Sequence, residues 1–237
     1  LKAIPTQAEI ELLETEYTFS PLFVGGRLAH DVTIRNAGVS DLVVAGSTVE
    51  GPFTCNYSGT IKPGETAVAQ IFYVPTATGL AEGSVSFDVG DATGNATLTL
   101  KGNALASMDK FFESFDASAN MPANWYALNN PEHQYTKVSI ASGQYDANSQ
   151  PNAAKILVFP DYQYPVTLIT PGLSGFGVNT LKFYAKKYDA SYDLELIIGV
   201  LSDPYSLESF QEVDRVRLSA EFEEYSFALP AVEGKPY

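Results

Sequence analysis

The sequence predicts an all-β protein built from stacked-sheet domains, two of them on the reading that follows. Three observations carry this. Apolar and polar residues alternate with period two in several stretches, as half-buried strands require. Aromatic residues reach 12%, with 14 Tyr and 14 Phe, while 18 Gly and 14 Pro punctuate the 237 residues at short intervals. No stretch keeps an apolar i, i+3, i+4, i+7 pattern for three helical turns.

Taken in order, the segments Ala67 to Val74 and Ser84 to Val89 place their large apolar side chains on one face. Asn95 to Lys101 does the same with its threonines outward. Turns are expected at Lys62-Pro63-Gly64-Glu65 and at Gly90 to Gly94. A composition change near Gly102 to Ser107 marks a boundary, giving domains at 1–104 and 105–237. Beyond it the only tryptophan, Trp125, appears and tyrosine becomes dense. Asp193 to Val200 begins alternating and turns continuously apolar, which predicts a strand buried on both faces. Leu207 to Val213 is the nearest approach to a helix, a turn or two after Pro204.

Fourteen basic residues against 28 acidic ones give a net charge of −14, which would be repelled by phosphate backbones and anionic lipid, so no nucleic-acid partner is expected. The excess is shared: 5 basic and 11 acidic residues up to position 105, 9 and 17 after it. No apolar run approaches the roughly 18 residues of a membrane span. Cys55 is the single cysteine, which excludes an intrachain disulfide and cysteine-based zinc sites. The opening Leu-Lys-Ala-Ile-Pro reads as a processed or excised segment, so the lack of a leader does not argue for the cytoplasm.

The motifs from Asp31 to Ala104 carry a resemblance. They run Val32-x-Ile34-x-Asn36-x-Gly38, Asp41-Leu42-Val43-Val44, Gly51-Pro52-Phe53, Ile61-Lys62-Pro63-Gly64-Glu65, Phe72-Tyr73-Val74-Pro75, Thr78 to Gly83 and Leu98 to Gly102. This resembles the seven-stranded Ig-like domains of the abnormal-spindle/hydin type, also met as choice-of-anchor D modules in secreted bacterial proteins. The resemblance implies a spacer or interaction platform without a site of its own. Physically, Asn36-Ala37-Gly38 is expected to close a hairpin with residues that tolerate positive φ, and Pro63-Gly64 to make a tight turn between edge strands. Pro75 is expected to end its strand.

From Phe111 onward the order is Phe112 to Asp116, Met121-Pro122-Ala123-Asn124-Trp125, Leu168 to Leu173, Asn179 to Lys186, Asp193 to Leu196, Gly199 to Pro204, Phe210 to Val213 and Glu223 to Phe227. This resembles the cleaved-adhesin or choice-of-anchor J domains, which are related to MAM domains and shaped as jelly-roll β-sandwiches. The fold expected is therefore an Ig-like β-sandwich followed by a jelly roll. Such domains usually continue beyond the stretch corresponding to Leu229-Pro230, so the last strand or two are expected to be lacking. An unpaired edge would follow, with irregular terminal residues, a neighbouring molecule in the gap or a longer natural chain.

The chemistry-bearing residues point to binding rather than catalysis. His30 and His133 fall on different domains with no zinc or triad spacing, and both read as surface residues. Gly172-Leu173-Ser174-Gly175 fails the Gly-x-Ser-x-Gly elbow, and nothing ends as a phosphate loop does. With 28 acids, chance carboxylate pairs are certain, so they identify no glycosidase, and no enzyme is expected. Asp146 to Asn152 alternates oxygen ligands but lacks the glycine and glutamate of an EF-hand. The adhesin resemblance implies a structural calcium held by a glutamate of the first strand and an aspartate of the last. Glu113 matches the first ligand, with Asp116 beside it as a second candidate; the alternative is that Glu113 caps or is merely solvated. Tyr162 and Tyr164 between two prolines, and Tyr188 and Tyr192 after the Phe183 strand, lie beside Gln and Asp. That is the composition of a sugar platform, though the same residues also build strands and interfaces. Trp125 reads as core. The expectation is a non-catalytic adhesion module of the cell surface or the extracellular space, binding a glycan or a surface protein through its second domain. The alternatives are a structural stalk and an accessory part of a secreted hydrolase.

Overall fold

The alternation along Ala67 to Val74 is a strand over Thr66–Tyr73, with Ala69, Ile71 and Tyr73 wholly buried. The structure is a computed structural model that describes residues 7–143, 147–158, 164–174, 177–189, 191 and 193–237. Leu1–Ala106 and Ser107–Tyr237 form two compact units.

In the first unit the strands are β1 (Glu9–Leu12), β2 (Glu16–Thr18), β3 (Leu22–Phe23), β4 (Leu28–Asn36), β5 (Leu42–Val44), β6 (Gly46–Glu50), β7 (Phe53–Cys55), β8 (Gly59–Ile61), β9 (Thr66–Tyr73), β10 (Gly79–Asp88), β11 (Thr93–Asn95) and β12 (Thr97–Leu105). One sheet has the order β11-β1-β4-β9-β7; the other runs β2-β12-β10-β6, with β3 also on β12. β5 pairs with β8. Alternate residues of the long strands meet between the sheets: Val32 and Ile34, Ala69, Ile71 and Tyr73, Val85, Leu98 and Leu100 are all wholly buried. Burying side chains of this size is the dominant stabilisation of such a sandwich.

The chain passes repeatedly between the two sheets. After Leu12 it leaves β4 and joins β12 as β2, and after Glu50 it leaves β10 and joins β9 as β7. His30 helps fix the first crossing. It lies inside β4 rather than before it, is only partly exposed, stacks on Tyr17 with ring centroids 3.4 Å apart, and places Nε2 2.6 Å from Glu14 Oε1. A surface histidine it is not.

The two turn expectations divide. Gly64 has φ +79°, and Glu65 N donates to Lys62 O at 3.0 Å, so Pro63-Gly64 makes the tight turn, although β9 on its far side is an inner strand. Around Asn36 no positive φ is used. Asn36 is wholly buried; its Nδ2 donates to Ser40 O at 2.8 Å and Ile61 O at 2.9 Å, and its Oδ1 accepts from Gly38 N. Gly38 is required for close approach, since a Cβ there would lie 2.5 Å from Gln7 O and Glu9 N.

In the second unit the strands are β13 (Tyr126–Leu128), β14 (Lys137–Ser142), β15 (Asn152–Leu157), β16 (Thr167–Ile169), β17 (Thr180–Ala185), β18 (Glu195–Val200), β19 (Gln211–Arg217) and β20 (Glu223–Ala228). Among the described residues they form four two-stranded antiparallel sheets, β13-β16, β14-β15, β17-β20 and β18-β19. Leu207–Ser209 is a single 3-10 turn capped by Ser206, and Gln211 already begins β19, so the helical reading there shrinks to three residues. β18 is not buried on both faces: Ile198 and Val200 are buried while Ile197 is 48% exposed. No strand follows β20 among the described residues, yet Tyr237 is buried and exchanges backbone hydrogen bonds with Leu201 at 2.8 and 3.2 Å. No helix of the described residues is long and apolar enough to cross a membrane.

Candidate functional site

Two places in the second unit gather the residues singled out from the sequence. The first is the loop after Phe111. Glu113 Oε1 accepts from Phe115 N at 2.6 Å, and Asp116 Oδ1 accepts from Asn152 N at 3.3 Å. Asn152, at the start of β15 and buried, donates Nδ2 to the carbonyls of Phe115, Asp116 and Ser118 at 3.2 to 3.3 Å, while its Oδ1 accepts from Ser142 Oγ. These bonds hold Phe115 at φ +65°, a conformation a bulky residue rarely takes. Phe115 and Phe111 pack edge-on against Trp125, which is half-buried. The loop is rich in oxygen donors, as calcium requires. Its carbonyls, however, already accept from an amide nitrogen, and no group of three His, Cys, Asp or Glu among the described residues is placed to hold a metal ion. Asn152 was legible only as one oxygen in the Asp146 to Asn152 run; Asp146 itself lies outside the described residues.

The second place is the turn after β17. Tyr188 is 65% exposed, and Lys155 Nζ from β15 sits 3.6 Å above its ring centroid. Asp189 Oδ1 accepts from Ser191 N at 2.9 Å and Ser191 Oγ at 2.6 Å, which together lower its carboxyl below the usual range. Lys186 Nζ lies 5.1 Å from the Phe222 ring centroid, and Lys187 N donates to Ser219 O. Tyr164 is 42% exposed and precedes β16, but no ring contact joins it to Tyr188. Tyr162 and Tyr192 lie outside the described residues.

Lys155 is the residue the sequence reading missed. A signal existed: positions 147–158 and 177–188 hold four lysines and not one Asp or Glu, in a chain where acids outnumber bases two to one. Elsewhere in this unit Tyr126, whose ring lies 5.4 Å from Tyr205 and 5.9 Å from Tyr237, has its phenol pushed up to about 12, chiefly by burial. Burial likewise raises the Asp203 carboxyl. His133 bonds Thr136 Oγ1 within its own loop. In the first unit two surface depressions, beside Glu9 to Leu12 and beside Thr76 to Glu82, are shallow and carry no converging acid–base pair.

The architecture is thus that of an all-β protein whose first unit is an Ig-like sandwich. Residues 8–103 match the HYDIN/CFA65/VesB-like, Ig-like domain, and the N-terminal unit is a domain of that family. Among solved structures the chain is similar to PapD-like domain 7 of human CEP192, with 16% identity over 44% of this chain and 90% of that one, at a TM-score of 0.35. It is similar to a protein of unknown function from Porphyromonas gingivalis W83, with 19% identity over 43% and 50% at 0.33. The Vibrio cholerae VesB protease shares 14% identity over 41% and 32% at 0.31. The chain therefore spans half of the Porphyromonas protein and about a third of VesB. No curated protein matches the chain.

Proposed function

We propose that the chain is a non-catalytic binding module of the extracellular space or cell surface, in which an Ig-like spacer carries an adhesin-type jelly roll that recognises a glycan. The observation that carries this is Tyr188, a flat ring left 65% exposed at the end of β17 and held in place by Lys155. A tyrosine so placed stacks on sugar C–H groups while neighbouring polar atoms bond hydroxyls. Exposed Tyr164 belongs to the same reading, as do Tyr162 and Tyr192. The spacer role of the first unit is supported by side chains spent on packing and by the shallowness of the depressions beside Glu9 to Leu12 and Thr76 to Glu82.

The test is a glycan panel against the full chain and its Tyr188→Ala variant. Binding that falls by about tenfold in the variant, the scale of one lost stacking contact, supports the reading. If no glycan binds, a protein retained from a surface extract by the full chain and not by Tyr188→Ala makes a surface protein the partner. Calcium at Glu113 and Asp116 has one support, the oxygen-rich loop, whose Phe115, Asp116 and Ser118 carbonyls also hold the Asn152 amide. Melting of chelator-treated chain, followed by Trp125 fluorescence, rises on adding calcium if the ion binds and stays put if it does not.

A further inference from the structure

We propose that the ligand of the second unit is an acidic glycan, a sugar chain carrying carboxylate or sulfate groups, engaged by the Lys155 ammonium beside the Tyr188 ring; this rests on the glycan-binding reading above.

Among 28 acidic residues none falls in 147–158 or 177–188, while four of the 14 basic residues do: Lys155, Lys182, Lys186 and Lys187. Fold brings these two segments together, because Lys155 of β15 lies on Tyr188 at the end of the second one. β20 sets Glu223 and Glu224 opposite Ala185 and Tyr184, and Glu224 pairs with Lys182, so the cation that meets an anion at the Tyr188 ring is Lys155. Screening at physiological salt, with a Debye length of about 8 Å, suppresses the distant acids more than the nearby lysines.

Arg35 pairs with Glu11, Lys182 with Glu224, Arg215 with Glu195 and Glu212, and Arg217 with Asp193 and Glu195. Lys155 ion-pairs with no carboxylate among the described residues and rests instead on an aromatic face. An exposed cation–π contact is weaker than a charge-assisted hydrogen bond. An incoming carboxylate or sulfate can therefore draw the ammonium off the ring, and the vacated face of Tyr188 accepts the sugar that bears it. The carboxylate next in sequence, Asp189, is turned to Ser191, which bonds its Oδ1 through both backbone N and Oγ. On the far strand Glu224 is taken by Lys182 and Tyr184.

The experiment measures binding of the full chain, by calorimetry in 0.15 M salt, to polygalacturonate, to chondroitin sulfate and to a neutral galactan. Lys155→Gln, Lys155→Arg and, as a charge-matched control, Lys62→Gln on the first unit are compared, each checked for native circular dichroism. The expected result is acidic polymer bound about tenfold or more tighter than neutral, a loss of about tenfold in Lys155→Gln, most binding kept in Lys155→Arg, and no change in Lys62→Gln. Whichever polyanion binds names the group as carboxylate or sulfate. Equal binding of neutral and acidic polymer with Lys155→Gln unaffected overturns this inference and leaves glycan binding standing. Acidic binding lost equally in Lys62→Gln and Lys155→Gln overturns the placement at Lys155. No binding of any of the three overturns the glycan reading together with the inference.

Discussion

The two units use a similar stock of apolar side chains in opposite ways. Of the buried apolar residues described, twenty-one lie in the first unit and eight in the second, although the second is the longer. In the first, two sheets bring β4, β9, β10 and β12 face to face, so Val32, Ile34, Ile71, Val85 and Leu100 lose all contact with solvent. In the second, the strands pair two by two: β17 and β20 alternate between exposed and half-exposed positions, with Phe183 stacked on Tyr225 and Phe227 at 5.7 and 5.8 Å without being fully covered. The lesson is that side chains committed to packing are withdrawn from recognition. A rigid sandwich suits a spacer, and a unit that leaves rings at its surface has them available for a ligand.

That contrast can be broken by mutation. Ile34→Ala, in the middle of β4 and with no solvent contact, should cost about 2–5 kcal/mol, because the sheets cannot close over the hole. Leu194→Ala, 41% exposed ahead of β18, should cost well under about 1 kcal/mol. Chemical denaturation of both variants measures the difference, and equal losses would dissolve the distinction between the units. Next in size is Asn36→Ala. It strips partners from the Ser40 and Ile61 carbonyls and from Gly38 N, and should cost about 1–3 kcal/mol for the unsatisfied buried groups. A loss as small as that of a surface substitution would show that water replaces the amide.

The smallest effect belongs to the second unit and depends on pH. Burial raises the Asp203 carboxyl in the folded state, so the folded chain holds that proton more tightly than the unfolded one. The stability this confers is complete below the unfolded value and is lost as pH rises through the folded value. Asp203→Asn keeps an acceptor for Tyr205 N and removes the ionisation, so it should raise the Trp125-monitored melting temperature at pH 7 more than at pH 3. An equal shift at both pH values would contradict a buried, ionised carboxylate.

Legibility of the sequence followed the range of the interaction. β9, β10 and β12 announced themselves through local alternation, and the Lys62 to Glu65 turn through Pro63-Gly64, because each is decided within a few residues. The sheet crossings were not legible, since a strand's partner is chosen by packing far along the chain. For the same reason Gly38 looked like a hinge for φ when it is a clearance for Gln7 and Glu9, and His30 looked superficial although it stacks on Tyr17 from across the sandwich. At the candidate site Tyr188 stood out by composition, but its cationic neighbour is 33 positions away and is brought to it only by the fold.

The most direct test of the division of labour is an amide NMR titration of the intact chain with an acidic oligosaccharide such as an oligogalacturonide. The account predicts shift changes confined to the second unit, centred on Lys155 and on Lys186 to Asp189, with the signals of Val32, Ile71 and Leu100 unmoved. Changes centred on the first unit, or none anywhere at saturating ligand, would contradict it.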